Sequence, residues 1–236
     1  MAYKPWTKQE NKLLLQLAED NVPYKRRIEY FEERSQDSIR QQTWMLKQQV
    51  ANKWVEDERV AFFDIETSHL KANIGIMLNW SVKYLDGELV HDCITRREAI
   101  DPDRQDKRIV QSLINELKNA DLVVTYYGTG FDLPFIRTRA EILNLDFPGY
   151  AYLKHFDMYY LVRAKLQLHS NRLAVATETL GIEGKTALPP AIWQRARIGD
   201  KDALDYAMDH CDEDVKILEA LYKRLKKYSK MNRKSI

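Results

Sequence analysis

The chain has 236 residues and a mass of 27.9 kDa, enough for two unequal domains. Its 44% hydrophobic and 31% charged residues fit a folded, soluble and intracellular (cytoplasmic) protein. No run reaches the 18 apolar residues of a membrane span, and Met1 to Thr7 hold no secretory core. Cys93 and Cys211 alone allow neither a disulfide scaffold nor a cysteine zinc cage. The net charge of +2 divides unevenly. Residues 1–56 carry ten basic and eight acidic side chains, residues 57–222 carry 20 and 27, and residues 223–236 carry seven and none. An acidic middle with a basic tail suits a carboxylate-rich site beside a polyanion-binding element. Lys223, Arg224, Lys226, Lys227 and Lys230 equally suit a solvated helix end at the negative pole of its dipole.

Residues 6–56 read as three short helices. Thr7 and Glu10 form a capping box, and Leu13, Leu14, Leu17 and Ala18 recur at helical spacing. Asn21-Val22-Pro23 breaks that helix and puts Pro23 in a new first turn, whose apolar face is Ile28 and Phe31. Ser35 caps a third helix with a stripe of Ile39, Thr43, Leu46 and Val50, and Trp44 beside it. Trp6-Thr7, Ile28, the Arg34-Ser35 turn and Ile39 through Leu46 resemble a Myb/SANT-type helix-turn-helix module over residues 1–56. The resemblance implies a third helix that offers Gln36, Arg40, Gln41 and Lys47 to base edges or phosphates. A three-helix module that grips protein is the alternative.

From Arg59 the period changes. Val60-Ala61-Phe62-Phe63 is a buried strand, and Ile74–Tyr84 and Glu88–Ile94 are the next two, joined by an Asp86-Gly87 turn. Ile109, Leu113, Ile114 and Leu117 mark an amphipathic helix, Leu122–Tyr126 a buried strand, Leu133–Leu143 a helix and Tyr152–Phe156 a strand. Beyond Asp157 the pattern is helical, interrupted around Gly181 to Pro190. This order predicts an α/β domain with a mixed sheet flanked by helices over residues 57–228, preceded by the three-helix domain and followed by a basic tail, 229–236.

Three acidic segments carry the chemistry. Asp64 and Glu66 project to one face at the end of the first strand, where paired carboxylates call for a divalent cation. Asp132 follows a strand and the glycines Gly128 and Gly130, at a helix start where it can also serve as a cap; the glycines permit close approach of a ligand, or a turn. His210 and Asp214 share a helix face, with Asp209, Asp212 and Glu213 alongside as a solvated side.

In this order the segments resemble the DEDD superfamily of 3′–5′ exonucleases, of ribonuclease H-like fold and similar to the proofreading domains of family B polymerases. Phe131-Asp132-Leu133-Pro134-Phe135-Ile136, Arg139-Ala140, His155-Phe156-Asp157 and Leu180-Gly181-Ile182 extend the likeness. It implies hydrolysis of DNA phosphodiester bonds with two Mg²⁺ or Mn²⁺ ions held by Asp64, Glu66, Asp132 and Asp214. His210 stands four residues before Asp214, where one branch of the family has tyrosine, and is the expected general base, with Tyr206 the weaker candidate. Thr67, Leu70, Phe131 and Tyr127 would hold the strand's 3′ end; Tyr127 replaces the usual asparagine and could stack on a base. Asp157 would brace the site or cap the next helix. Nucleic acid, DNA before RNA, is the expected partner, with a replication or repair protein as a further one and no membrane. An exoribonuclease, a DNA-binding regulator with an inert nuclease fold and a protein adaptor are the rival readings.

Overall fold

The computed structural model describes residues 5–31, 33–56, 58–103, 105–149, 152–184 and 187–229, with side chains excepted over 48–56. The Val50 side chain, Lys230 and the rest of the basic tail beyond Ser229 lie outside the described residues. The chain forms two compact units, Met1–Glu58 and Arg59–Ile236.

In the first unit the capping box forms as the sequence predicts. The Glu10 N–H donates to Thr7 Oγ1 at 3.2 Å and the Thr7 N–H to Glu10 Oε2 at 2.8 Å, opening α1 (Lys8–Glu19). A single turn, α2 (Tyr24–Arg27), runs into a 3₁₀ turn at Ile28–Tyr30, and Ser35 Oγ then accepts the Ser38 N–H at the start of α3 (Gln36–Glu56). Leu14, Leu17, Phe31, Ile39 and Leu46 form the core. Two expectations are corrected. The third helix is not short but 21 residues long. Ile28 is 40% exposed, because the chain tightens into the 3₁₀ turn there and rotates Arg27 inward instead. Arg27 Nε donates to the Val22 carbonyl at 2.7 Å. Arg34 is also buried; it stacks over Trp6 and donates to Glu10 at 3.0 Å, which holds the Glu10 carboxyl down at about 2.

The second unit is built on a five-stranded sheet in the order β3-β2-β1-β4-β5. Its strands are β1 (Val60–Thr67), β2 (Met77–Tyr84), β3 (Leu89–Cys93), β4 (Leu122–Thr125) and β5 (His155–Asp157). β1, β2 and β3 pair antiparallel, while β1, β4 and β5 run parallel, so the carboxyl ends of these three open on one edge of the sheet. Between strands lie α4 (Arg96–Ile100), α5 (Lys107–Leu117) and α6 (Asp132–Leu143). After them come α7 (Met158–Lys165), α8 (Leu173–Thr179), α9 (Pro190–Arg197) and α10 (Lys201–Leu225).

Alternation along the strands divides the core. Ala61, Phe63 and Ile65 join Trp80 and Val82 under the apolar faces of α5 and α6. Val60 and Phe62 face the other way, with Val215, Leu218 and Tyr222 of α10 and Met158 of α7. Tyr222 meets Phe62 edge-on at 5.3 Å.

Several strand limits differ from expectation. β2 begins at Met77 rather than Ile74, because residues 68–76 fold back on themselves. The Ile76 N–H donates to Ser68 Oγ at 2.9 Å and the Gly75 N–H to the Lys71 carbonyl at 2.8 Å, leaving Ile74 63% exposed. β5 is displaced to His155–Asp157, the stretch that β4 reaches in parallel register. The described part of the basic stretch is partly committed: Lys223 pairs with Asp86 and Glu219, and Arg224 donates to the Leu180 carbonyl.

The 68–76 turn is pinned from beneath by a buried ion pair. Arg139 of α6 donates to Asp106 Oδ1 and Oδ2 and to the Ala72 carbonyl, while Asp106 Oδ2 accepts the Met77 N–H at 2.7 Å. The two side chains are 4% and 0% exposed. Arg139→Ala strands the Asp106 charge in the core and is expected to destabilise the domain by about 3–5 kcal/mol in urea unfolding.

Candidate functional site

Asp64 and Glu66 lie on the α10-facing side of β1, beyond the point where Val60 and Phe62 have filled the apolar part of that face. Glu66 is opposite Asn79 of β2, immediately before a bulge that shifts the register at Thr67. Bulges at strand ends re-aim side chains, and here the bulge follows the second acid directly.

Asp132 is the first residue of α6 and makes no cap; Phe131 occupies that position, so the capping role is corrected. Its carboxylate instead takes the backbone N–H of Ile65, the residue between Asp64 and Glu66. Asp132 Oδ1 is buried with no hydrogen-bond partner among the described residues. Burial above all, then the charge of Asp157, lifts the Asp132 carboxyl from 3.8 to about 7.

α10 delivers the third segment. His210 Nε2 lies 3.6 Å from Glu66 Oε1 and 3.9 Å from Asp214 Oδ2. Cys211 is fully buried, its Sγ 3.4 Å from the Asp64 carbonyl and 3.5 Å from Asp64 Oδ2. Burial and the charges of Asp64, Glu66 and Asp214 push its thiol well above the usual range. The structure thus brings Asp64, Glu66, Asp132, His210 and Asp214 to one end of β1. Among the described residues, no three ligating side chains are disposed to grip an ion as they stand.

The remaining expected residues vary. Thr67 is buried and donates its hydroxyl to the His69 carbonyl at 3.1 Å. Leu70 is 64% exposed, Phe131 is half-buried against Phe135, and Tyr127 is half-exposed against Tyr159. Tyr206 donates its hydroxyl to the Ala187 carbonyl at 2.9 Å. Arg40, Gln41 and Lys47 are exposed on α3 in the first unit. The glycines do not leave room for a ligand: a Cβ on Gly128 would strike Thr125 Oγ1 at 2.3 Å, and one on Gly130 would strike the Tyr127 ring at 2.5 Å. The positive φ in this loop belongs to Tyr127, at +67°.

Four contributors had no role at the site assigned from the sequence. Trp193 of α9 donates its indole N–H to Glu66 Oε2 at 3.2 Å, so Glu66 is held from one side by Trp193 and approached from the other by His210. Asn79 is fully buried with its amide unpartnered among the described residues. Asp212 is not merely solvated; it accepts from Ser81 Oγ at 2.6 Å and lies 2.9 Å from His91 Nδ1. His155, facing Thr125 Oγ1 at 2.7 Å, is lowered by burial to about 4 and stays neutral.

The RNase_H superfamily profile matches residues 61–226, the sheet from the second residue of β1 onward and all of α10. The chain belongs to the RNase H superfamily. The chain is 25% identical over 148 residues to a DNA polymerase of Methanocaldococcus jannaschii, covering 52% of this chain and 9% of the polymerase. It is 25% identical over 191 residues to the uncharacterized protein YprB of Bacillus subtilis, covering 77% of this chain and 45% of YprB. The chain therefore spans less than half the length of either curated relative. Its fold is shared with the family B DNA polymerase of Pyrobaculum calidifontis, with a TM-score of 0.59, 20% identity, and 71% of this chain matched to 24% of that one.

The raised Asp132 pKa fixes a sign. The folded state favours the protonated form, so this contribution to stability is complete below pH 3.8 and is lost as pH rises through about 7. In EDTA, Asp132→Asn is expected to stabilise the RNase H-like domain at pH 8 by on the order of 1–4 kcal/mol and to have little effect at pH 4. Thermal unfolding at the two pH values measures the difference; an equal shift at both would contradict the assignment.

Proposed function

We propose that the chain is a metal-dependent 3′–5′ exonuclease that hydrolyses phosphodiester bonds of nucleic acid, DNA in preference to RNA. Residues 1–56 serve as a nucleic-acid-binding module, reaching the strand with Arg40, Gln41 and Lys47 of α3. The observation that carries the reading is the gathering of four carboxylates from three distant segments, with Asp132 drawn to the Ile65 N–H between Asp64 and Glu66. Membership of the RNase H superfamily, whose fold includes polymerase exonuclease domains, supports it.

The donor chemistry fits hard divalent cations. Asp64, Glu66, Asp132 and Asp214 offer oxygen alone, the set that Mg²⁺ and Mn²⁺ select. The buried, unpartnered Asp132 Oδ1 is an acceptor for which neutralisation by a cation, rather than a proton, relieves the cost of burial. When bound, two such ions acidify the attacking water and stabilise the leaving 3′ oxygen.

The protein's own residues do the rest. His210 takes the proton released by the attacking water, and Glu66 and Asp214 on either side of its Nε2 stabilise the resulting imidazolium. Trp193 holds Glu66 in orientation through a donor that cannot reverse its role. Leu70 and Phe131 border the path of the 3′ end, and Thr67 shapes the turn that presents Leu70.

A second reading, a DNA-binding regulator with an inert nuclease fold, draws on Tyr127 in place of asparagine and on the unusual third motif, with His210 four residues before Asp214. A time course on 5′-labelled single-stranded DNA and RNA with Mn²⁺ separates the two. The exonuclease shortens the strand from its 3′ end and Asp64→Ala abolishes this; an intact strand with well-folded wild-type protein favours the regulator. His210→Ala is expected to lower kcat by about 10²–10⁴. Mn²⁺ affinity by titration calorimetry should change little, and a comparable loss of affinity would make His210 part of the metal site instead.

A further inference from the structure

An amide buried without partners loses its bonds to water and gains none in their place. Asn79 is such a group. It is fully buried in β2, and among the described residues neither its Nδ2 nor its Oδ1 has a hydrogen-bond partner. An apolar side chain of similar outline would fill the same space without that cost, so packing does not account for an amide here.

The register of the sheet says what the amide faces. Asn79 stands directly across from Glu66, as Ser81 does from Asp64 and Lys83 from Phe62. Opposite residues on antiparallel strands share a face, with Cβ atoms about 4.5–5.5 Å apart. Leu78, Trp80 and Val82, between them, join the other layer of the core. The shared face is the one that α10 covers. Ser81 Oγ donates to Asp212 Oδ1 at 2.6 Å, and Lys83 Nζ pairs with Glu219 Oε2 at 3.2 Å. Of these three polar residues, Ser81 and Lys83 are tied to the helix. Asn79, the one across from Glu66, is not.

Glu66 is engaged elsewhere, by the Trp193 indole at 3.2 Å and beside His210 Nε2 at 3.6 Å. It stands immediately before the bulge at Thr67, where the ladder to β2 is interrupted and a side chain can be re-aimed. Among the described residues no three ligating side chains grip an ion as they stand, so holding one requires the carboxylates to turn. A carboxylate that ligates a metal keeps its orientation through a hydrogen bond to its remaining oxygen. The donor closest in register to Glu66 is the unmet amide of Asn79.

We propose that Asn79 is a positioning residue for Glu66: as Glu66 turns to hold a divalent cation, the Asn79 amide donates to its other oxygen. The donor that is unmet in the cation-free domain is then met in the loaded one, and cation binding gains by the difference. The inference rests on the nuclease reading for the cation and for the role of Glu66 as its ligand.

The test uses the full chain and Mn²⁺ alone, without nucleic acid. Titration calorimetry gives the Mn²⁺ affinity, and thermal unfolding in EDTA gives the stability of the cation-free protein. Asn79→Leu keeps the branching of the side chain without its polar atoms, and Asn79→Val removes them with less bulk. Both are expected to weaken Mn²⁺ binding roughly 10–100-fold. At least one of them should leave the Tm in EDTA unchanged or raised. Asn79→Asp loses the donor and sets a like charge across from Glu66, so it should weaken binding as well. Wild-type affinity in the Leu and Val variants would overturn the proposal. So would equal or tighter binding by Asn79→Asp, which would make position 79 a ligand. A Tm lowered in EDTA by both Leu and Val would also overturn it, since the amide would then already be partnered in the cation-free domain. The two readings separate in the same data. No Mn²⁺ uptake by the wild type removes both, and uptake that the variants leave unchanged removes this inference alone. Variant-sensitive uptake without strand cleavage removes the nuclease reading and leaves Asn79 in its role.

Discussion

Like charges repel, and bringing several of them out of water together is among the costliest arrangements a fold can adopt. The end of β1 accepts that cost, and much of the second unit is arranged around it. The pleat places Phe62, Asp64 and Glu66 on the same face, so the helix that packs along it must be apolar where it meets Val60 and Phe62 and polar where it meets the acids. α10 meets that demand with Val215, Leu218 and Tyr222 over Val60 and Phe62, and with His210, Cys211 and Asp214 over the acids. Its register is fixed by polar ties to the sheet: Asp212 to Ser81 and His91, and Glu219 to Lys83 and to the Asp86 N–H.

The same electrostatics explain why so few of the surrounding groups are interchangeable. Asp132 meets the buried Ile65 N–H and sits at a helix start, where the dipole favours negative charge, yet burial still dominates its titration. Trp193 is a donor only, so it can serve Glu66 solely by donating to a carboxyl oxygen. The buried Arg139–Asp106 pair lies outside the site but holds the turn that follows β1, so the ends of the acidic strand are anchored from both directions.

How much of this was legible depended on distance along the chain. The capping box at Thr7, the Asp86-Gly87 turn and the alternation of β1 are local and were read from a few residues each. The three acidic segments could be joined because each keeps its own local context of strand end, helix start or helix face. Trp193 and Glu66 are 127 residues apart, and nothing near either one signals the other. Asp212 read as a solvated helix position because its partners, Ser81 and His91, come from other strands. The glycines misled for a related reason: Gly128 and Gly130 are required by the side chains of Thr125 and Tyr127, a packing demand that looks the same in sequence as room for a ligand. At Ile28, a change from α to 3₁₀ winding turned that side chain outward while Phe31 kept its place in the core, and a period of 3.6 cannot register such a change.

Cys211 carries a consequence of another kind. It lies at the seam between α10 and β1, fully buried, with a thiol held protonated by its surroundings. Alkylating reagents can reach it only when the helix lifts from the strand, so its labelling rate is a clock for that opening. The seam that assembles the acids therefore contains its own reporter of how often they come apart, one that needs neither substrate nor an introduced residue.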